Sequence, residues 1–332
     1  MSGEFNLIEK YFAHKQVNRA DVDIALGDDC ALISPPPGYQ IAISTDTVVL
    51  GTHFLIEADP AAVAHKALMS NISDLAAMGA TPAWFSMALT LPEIDDAWLT
   101  PFCNAMFKLA DEHGLQLIGG DTTKGPLSIS FTIQGLVPTG QALTRGGTKV
   151  GDSVYVTGQL GDSHAGLSVI LQSELHSKRY AKELVERHFY PQSRIGVAER
   201  LRGIATSCID ISDGLVADLG HILKRSNVAA EIDVALLPLS AEVIEFCGEH
   251  NLAQQVALQS GEEYELCFTV ADENKSKLAK VEQQTGCQLT YIGQIVSPQS
   301  SQNVSQLTLL REGQPLLSDD PILQAQGFDH FY

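Results

Sequence analysis

Basic residues are scarce in this chain: 21 Lys and Arg stand against 40 Asp and Glu, a formal net charge of −19 over 332 residues. That balance argues against a nucleic-acid binder, because a phosphate backbone is held by many Lys and Arg side chains that release its counterions. It argues equally against an anionic membrane surface. No apolar run approaches the ~20 residues that span a bilayer. The N-terminal MSGEFNLIEKYF has neither the basic nor the apolar region of a signal peptide, so the expected location is cytoplasmic. Cys30, Cys103, Cys208, Cys247, Cys267 and Cys287 form no C-x-x-C pair, which leaves reduced thiols, chiefly in the core, as the expectation. Also absent are a P-loop, a dinucleotide-binding G-x-G-x-x-G, the protein-kinase signatures and a D-x-[DN]-x-[DN]-G calcium loop.

What is present is a globular composition, 45% hydrophobic and 18% charged. The length suits two domains of roughly 150 residues each. Apolar or alternating segments predict strands at about 39–45, 84–91, 128–137, 152–158, 206–211, 263–270 and 288–296. Helical periodicity predicts helices near 60–78, 93–113, 163–174, 180–187, 193–202, 213–226, 239–250 and 272–284. In the clearest of these, Ala64, Leu68, Ile72, Leu75 and Met78 form one apolar stripe between Asp59-Pro60 and Gly79. The alternation of strands and helices points to an α/β or α+β architecture. The Gly-rich LTRGGTKVGD at 143–152 places the domain boundary there, giving domains 1–148 and 149–332.

The unusual feature is a series of aspartates beside glycine or hydroxyl residues: GDDCAL at 27–32, STDT at 44–47, GGDTT at 119–123 and IDISDG at 209–214. Each reads as a turn at a strand end. Asp74 adds a carboxylate one helical turn from Ser70 and Asn71. Any one such Asp is ordinarily a turn residue or an N-cap. Several converging acids with few cations nearby would repel one another, and Mg²⁺ relieves that repulsion, taking one or two carboxylates per ion beside water and phosphate oxygens. An acidic chain can bind phosphorylated small molecules in this way. VTGQLGDSHAGL at 156–167 is a Gly-rich turn entering a helix, whose exposed amides could hold a phosphate or simply make the turn.

The succession GDDCAL, STDTVVLGTHF, KALMSNISDLAAMGATP, GGDTT, LTRGGTKVGD, VTGQLGDSHAGL, HFYPQSRIG, IDISDGLVADLGHIL and SGEEYEL, ending in GFDHF, resembles thiamine-monophosphate kinase over essentially the whole chain. That family belongs to the aminoimidazole ribonucleotide synthetase superfamily. The resemblance implies two domains, an N-terminal αβ domain that dimerises through its sheet and a C-terminal αβα domain. It implies ATP-dependent, Mg²⁺-dependent conversion of thiamine monophosphate to thiamine diphosphate by direct transfer, in a homodimer. By motif, Asp29, Ser44, Thr45, Asp46, Asp74 and Asp121 match metal positions of the first domain, and Asp210 and Asp213 those of the second. Gly120, Asp121, Arg145 and Ser212 match ATP-binding positions. His53, one of Glu262 and Glu263, and Phe328 match positions that hold the thiamine end. The chain reads SGEEYEL where the family more often has a second Gly and a Glu-Asp pair, which leaves the choice between the two glutamates open. A metal-dependent phosphatase or synthetase on the same acid-rich frame, and a non-catalytic cation-binding module, are the competing readings.

Overall fold

The computed structural model of the protein describes residues 4–12, 18–298 and 306–325. The chain divides into two compact units, one holding residues up to Leu75 with Ala80–Gly140, the other Ala76–Gly79 with the chain from Gln141 on.

The first unit comprises α1 (Glu4–Tyr11), β1 (Val22–Ile24), β2 (Leu32–Ile33), β3 (Tyr39–Val49), α2 (Pro60–Ala77), β4 (Thr81–Leu91), α3 (Asp96–Glu112), β5 (Gln116–Lys124) and β6 (Ser128–Pro138). Its main sheet has the order β3-β6-β4-β5; β6 runs antiparallel to both neighbours, and β4 and β5 are parallel, joined through α3. Helix α2 starts where Pro60 supplies a preset φ and the Asp59 carboxylate accepts from the Ala61 N–H at 2.9 Å. It stops at Gly79, whose φ of +63° lets the Ala80 N–H return to Leu75 O. Ala64, Leu68, Ile72 and Leu75 are buried, but Met78 lies past the helix end and is exposed, so the apolar stripe stops one residue short of expectation. Helix and strand meet closely at Gly135 of β6, where a Cβ would stand 2.9 Å from Leu75 Cδ1. Phe85, Phe131 and Ile133 of the sheet and Leu99, Phe102 and Met106 of α3 complete the core.

β3 alternates: Ala42, Ser44, Asp46 and Val48 are half-buried, while Ile41, Ile43, Thr45 and Thr47 are exposed, Ile43 by 66%. The exposed row is knit to β6 by hydroxyl pairs, Thr45 with Thr132 and Thr47 with Ser130.

The second unit holds β7 (Ser153–Thr157), α4 (Asp162–Leu171), α5 (Ala181–Phe189), α6 (Ile195–Leu201), β8 (Ala205–Asp210), α7 (Leu215–Ser226), β9 (Ala229–Asp233), α8 (Ala241–Cys247), α9 (His250–Gln259), β10 (Leu266–Val270), α10 (Leu278–Thr285), β11 (Leu289–Val296), β12 (Leu307–Arg311) and β13 (Gln314–Pro315). Its sheet order is β13-β12-β9-β11-β7-β10-β8. On one face Val154, Val156, Ile209, Cys267 and Ile292 pack with Leu215, Leu219, Ile222 and Leu223 of α7. On the other, Tyr155 stacks on Phe268 and meets Tyr291 edge-on. Helices α4, α5, α8 and α9 form a further apolar cluster around Val169, Leu184, Val243 and Ala253.

The two-domain class is the one expected, with differences in detail. The helix expected over 239–250 ends at Cys247, because Gly248 adopts φ +71° as a left-handed cap, and α9 begins afresh. The strand expected from 263 begins only at Leu266, because Glu262 and Tyr264 have φ of +56° and +54°. Four cysteines are buried, Cys247 is half-buried and Cys30 is exposed.

Candidate functional site

In the first unit the polar strip of α2 lies against the half-buried row of β3. Ser44 Oγ donates a short hydrogen bond to the Asp74 carboxylate, and Ser70, buried on the same helix, bonds Asp46. Burial pushes the Asp46 carboxyl above the ordinary aspartate range, and the Ser70 hydrogen bond draws it only partly back. STDT is therefore the middle of a long strand, not a turn, and the alternation of that strand decides which of its groups meet.

Thr45 is on the opposite face from Ser44 and Asp46. Asp121 is too: it pairs with Ala88, and that row continues through Ser130 to Thr47, whereas Asp46 shares a row with Phe131, Met87 and Gly120. GGDTT also lies inside a strand, β5, rather than in a turn. Gly120 is required there by close approach, since a Cβ would fall 2.0 Å from Met87 O. The structure thus groups Ser44, Asp46 and Asp74 on the α2 side and leaves Thr45 and Asp121 on the other. Asp29 sits on an exposed turn, its N–H bonded to Asp28 Oδ1 at 2.9 Å. His53 folds back on the end of β3, where its Nδ1 accepts the Val49 N–H at 3.1 Å; the neutral ring then carries its proton on Nε2.

In the second unit, segment 144–147 lies along edge strand β8. Thr144 O accepts from the Cys208 N–H at 2.9 Å, and Gly147 presses so closely on Thr206 O that a Cβ would stand 2.6 Å away. This holds the backbone of Arg145 in place and leaves its side chain exposed. Asp210, buried, closes β8 opposite Leu266. The following turn is organised by a residue the sequence reading did not single out. Asp218 Oδ2 accepts the N–H groups of Ser212, Asp213 and Gly214 at 3.0, 3.0 and 3.1 Å. Burial nevertheless pushes the Asp218 carboxyl up to about 7. Its spacing, in the first turn of α7, was the available signal, since an acid there meets unpaired helix amides.

Backbone hydrogen bonds join this turn to the next segment: the Glu262 N–H donates to Ser212 O at 2.7 Å, the Tyr264 N–H to Ile211 O at 2.9 Å and the Ile211 N–H to Glu265 O at 2.7 Å. Glu262 is half-exposed, whereas Glu263 is buried and turned toward the start of α4. Its Oε1 accepts the N–H groups of Gly161 and Ser163 at 2.9 and 3.1 Å, and Ser260 Oγ also donates to it. The Gly161 and Ser163 amides of VTGQLGDSHAGL are accordingly taken by a carboxylate of the same chain and the His164 amide by Ser260 Oγ, which favours the plain turn over a phosphate cradle. Glu265 in turn is paired with Arg194 and accepts from Thr157 Oγ1. Glu263, Glu265, Asp162, Arg187 and Arg194 border a cleft of about 410 Å³.

Among the described residues, no three His, Cys, Asp or Glu side chains stand close enough together to cage a metal ion. The donor set around Asp46 is nonetheless all oxygen, and its carboxyl is held up by burial with a hydroxyl as its compensation, a chemistry that suits Mg²⁺ with few protein ligands. Phe328 lies outside the described residues.

Residues 27–137 match the family described as AIR synthase related protein, N-terminal domain, and residues 149–303 its C-terminal domain. The fold and the strand-borne acids therefore define a two-domain AIR synthase related protein. Within that class, the chain is 48% identical over 331 residues to the thiamine-monophosphate kinase of Escherichia coli K12, covering 99% of this chain and 98% of the relative. It superposes on the crystal structure of the Stenotrophomonas maltophilia thiamine-monophosphate kinase with a TM-score of 0.84 at 39% identity, covering 95% of this chain and 98% of that one. The structure of AaThiL complexed with AMPPCP and TMP aligns with a TM-score of 0.76 at 29% identity over 99% and 97% of the two chains. The chain belongs to the thiamine-monophosphate kinase family.

The burial of Glu263 has a measurable consequence. Its carboxyl is pushed up to about 8, by burial first and by the Asp162 charge next, whereas the unfolded chain releases this proton near 4.5. Between those values the folded state holds more protons, so stability falls as pH rises through the window and levels off above it, by at most about 1.4 kcal/mol per pH unit. Urea midpoints of the wild type and Glu263→Gln from pH 4.5 to 9 should converge or cross in the variant's favour as pH rises. A difference constant across the range would refute the assignment.

Proposed function

We propose that this protein transfers the γ-phosphoryl group of ATP to thiamine monophosphate, giving thiamine diphosphate and ADP, with Mg²⁺. The observation that carries the reading is the likeness, over nearly the whole chain, to thiamine-monophosphate kinases, one related structure being complexed with AMPPCP and TMP. The acceptor is itself a phosphate monoester, largely ionised at neutral pH, so no dedicated general base is assigned. One acceptor oxygen bonds to the γ-phosphorus in line as the bond to the β,γ-bridging oxygen breaks, and ADP leaves with that electron pair. Such a transfer needs positioning and charge neutralisation rather than covalent help from the protein.

Ser44, Asp46 and Asp74 on one face of the first unit's sheet, and Thr45 and Asp121 on the other, would hold separate Mg²⁺ ions, with Asp29 as a further ligand from its exposed turn. Asp210 and Asp213 serve in the second unit. Mg²⁺ bound to these acids supplies neutralisation of the phosphate oxygens and a template for their alignment. Gly120, held close against Met87 of β4, would meet ATP through its exposed backbone, and Ser212 offers a hydroxyl. Arg145 presents a planar fork of donors to phosphate oxygens. His53, donating from Nε2, and the Glu262–Glu263 segment hold the thiamine end, with Phe328. The working location is the cytoplasm.

The assembly is a homodimer built on the exposed row of β3. Ile41 and Ile43 there are exposed, and Gln134, paired with Ile43 across the sheet, has a buried side-chain oxygen with no hydrogen-bond donor among the described residues. An exposed apolar sheet face is costly unless a second surface covers it. Sedimentation at micromolar concentration should show a species of twice 35.8 kDa, and Ile43→Lys should shift it to the monomer; a wild-type monomer would remove the proposal.

Asp46→Asn and Asp121→Asn should each lower turnover at least a hundredfold, ~2.7 kcal/mol of lost transition-state stabilisation, while circular dichroism shows the fold retained. Near wild-type rates in both would sink the metal assignment. The acceptor gives an independent check. Thiamine monophosphate can be gripped by its phosphate, whereas thiamine offers a neutral hydroxyl, and losing that grip forfeits on the order of a thousandfold in kcat/KM. Comparable kcat/KM values for the two acceptors, at saturating ATP and Mg²⁺, would refute the mechanism.

A further inference from the structure

The two glutamates of SGEEYEL are equivalent by motif, but the fold treats them differently. Glu263 is buried, and its Oε1 collects the N–H groups of Gly161 and Ser163 and the Ser260 hydroxyl. Ser260 Oγ in turn accepts the His164 N–H at 3.0 Å. Three amides at the start of α4 are thereby satisfied by the segment that carries Glu262. The first amides of a helix have no partner within it, and an acceptor from elsewhere in the chain both fills that need and ties the two segments together. A Cβ at Gly161 would meet Val243 and Val256 side chains at 3.3 and 3.4 Å, so the helix start is packed from the other side and has no slack.

The residues flanking Glu263 show what the tie maintains. Glu262 and Tyr264 both adopt left-handed φ, +56° and +54°, two of the four non-glycine residues that do so among the described residues. Such conformations are strained and persist only where the surroundings over-determine them. On one side the segment is fixed by its backbone bonds to Ser212 and Ile211. On the other, Glu263 and Ser260 fix it to α4.

We infer that Glu263 is a positioning residue: it ties the 260–265 segment to the start of α4 and so holds in place the neighbouring Glu262, which on the family reading is the glutamate at the thiamine end of the substrate. This rests on the proposed kinase reading, which the wild-type protein's own turnover of thiamine monophosphate tests beforehand. The competing assignment is that Glu263 meets the substrate from the cleft it borders, acting as a counter-charge to the thiazolium ring. Burial of the carboxyl, which favours its uncharged form, speaks for the tie rather than the counter-charge.

The two roles separate by charge. A glutamine at 263 keeps an oxygen for the amides but carries no charge, so it supports the tie and cannot neutralise a cation. At saturating ATP and Mg²⁺, Glu263→Ala should raise the KM for thiamine monophosphate about tenfold with the KM for ATP unmoved, and Glu263→Gln should bring it back to within about threefold of the wild type. Glu262→Gln should raise the same KM about tenfold with the melting temperature unchanged. If Glu263→Gln is as damaging as Glu263→Ala, the counter-charge assignment holds and the inference is overturned. It is overturned also if Glu263→Ala only lowers kcat in proportion to the folded fraction, at constant KM. Should Glu263→Ala not fold, Ser260→Ala carries the test: it cuts the link from Glu263 to the His164 amide and should raise the KM several-fold, and an unchanged KM overturns the proposal.

Discussion

The second unit depends on a single oxygen, Asp218 Oδ2, which gathers three consecutive backbone N–H groups from Ser212, Asp213 and Gly214. Without an acceptor there, the buried Gly214 N–H would be left unpaired at a cost of about 1–3 kcal/mol, and the partly buried N–H groups of Ser212 and Asp213 would lose their partner too. With it, the turn after β8 has one shape. That shape is passed on by backbone hydrogen bonds to the segment 262–265, and from there Glu263 passes it to α4. Glycine is required at each close approach along this path. A Cβ at Gly214 would stand 2.9 Å from Gln259 O, one at Gly261 2.7 Å from Ser212 O, and one at Gly158, with φ +59°, 2.2 Å from Glu265 Oε1.

The first unit solves a different problem with the same residue type. Its acids are carried on strands and on one helix, so orientation follows from pleat and helical phase rather than from a turn. Ser44 and Asp46 face α2 because they are two residues apart; Thr45, between them, must face away. Asp74 and Ser70 meet them because they are four apart on one face of α2. The polar strip inside an otherwise apolar helix is thus the complement of the polar positions on β3, and the two register each other.

How much of this is legible in sequence depends on how local the cause is. Helix α2 is read correctly from Asp59-Pro60, its apolar stripe and Gly79, all of which act within one turn, and only the placing of Met78 in that stripe fails. The order of acids along the chain gives the family, and the family is the one found. β5 is missed because GGDTT carries the residues of a turn, and what makes it a strand is its parallel pairing with β4. Parallel pairing is set by a crossover helix and leaves little mark on the strand itself. Asp218, and the partners of Glu263, escape for a related reason: which amides an acid meets depends on what the fold sets opposite it, and those of Glu263 are about a hundred residues away. Nor does a motif say which side of a sheet an acid takes, and Asp46 and Asp121 take opposite sides.

Burial sorts the many acids of this chain by what compensates them. A carboxylate withdrawn from water must be paired, hydrogen-bonded or protonated. In the second unit the compensation is internal: Asp218 has three amides, Glu263 two amides and a hydroxyl, Glu265 the Arg194 guanidinium and Thr157, and Asp162 the Arg187 guanidinium at 2.7 Å together with Ser240. These oxygens are committed to the fold, and their acids hold loops in place. Burial raises Asp46 as it raises Asp218 and Glu263, but where several amides or hydroxyls oppose it at those two, one hydroxyl hydrogen bond opposes it at Asp46. The chain has folded a carboxyl into a half-buried row with little to keep it ionised. On the proposed reading that deficit is itself functional: the ionised form, and the ordered seam between β3 and α2, become fully favourable only when a divalent cation arrives, so the acids left uncompensated by the fold are the ones able to take a metal-borne phosphate.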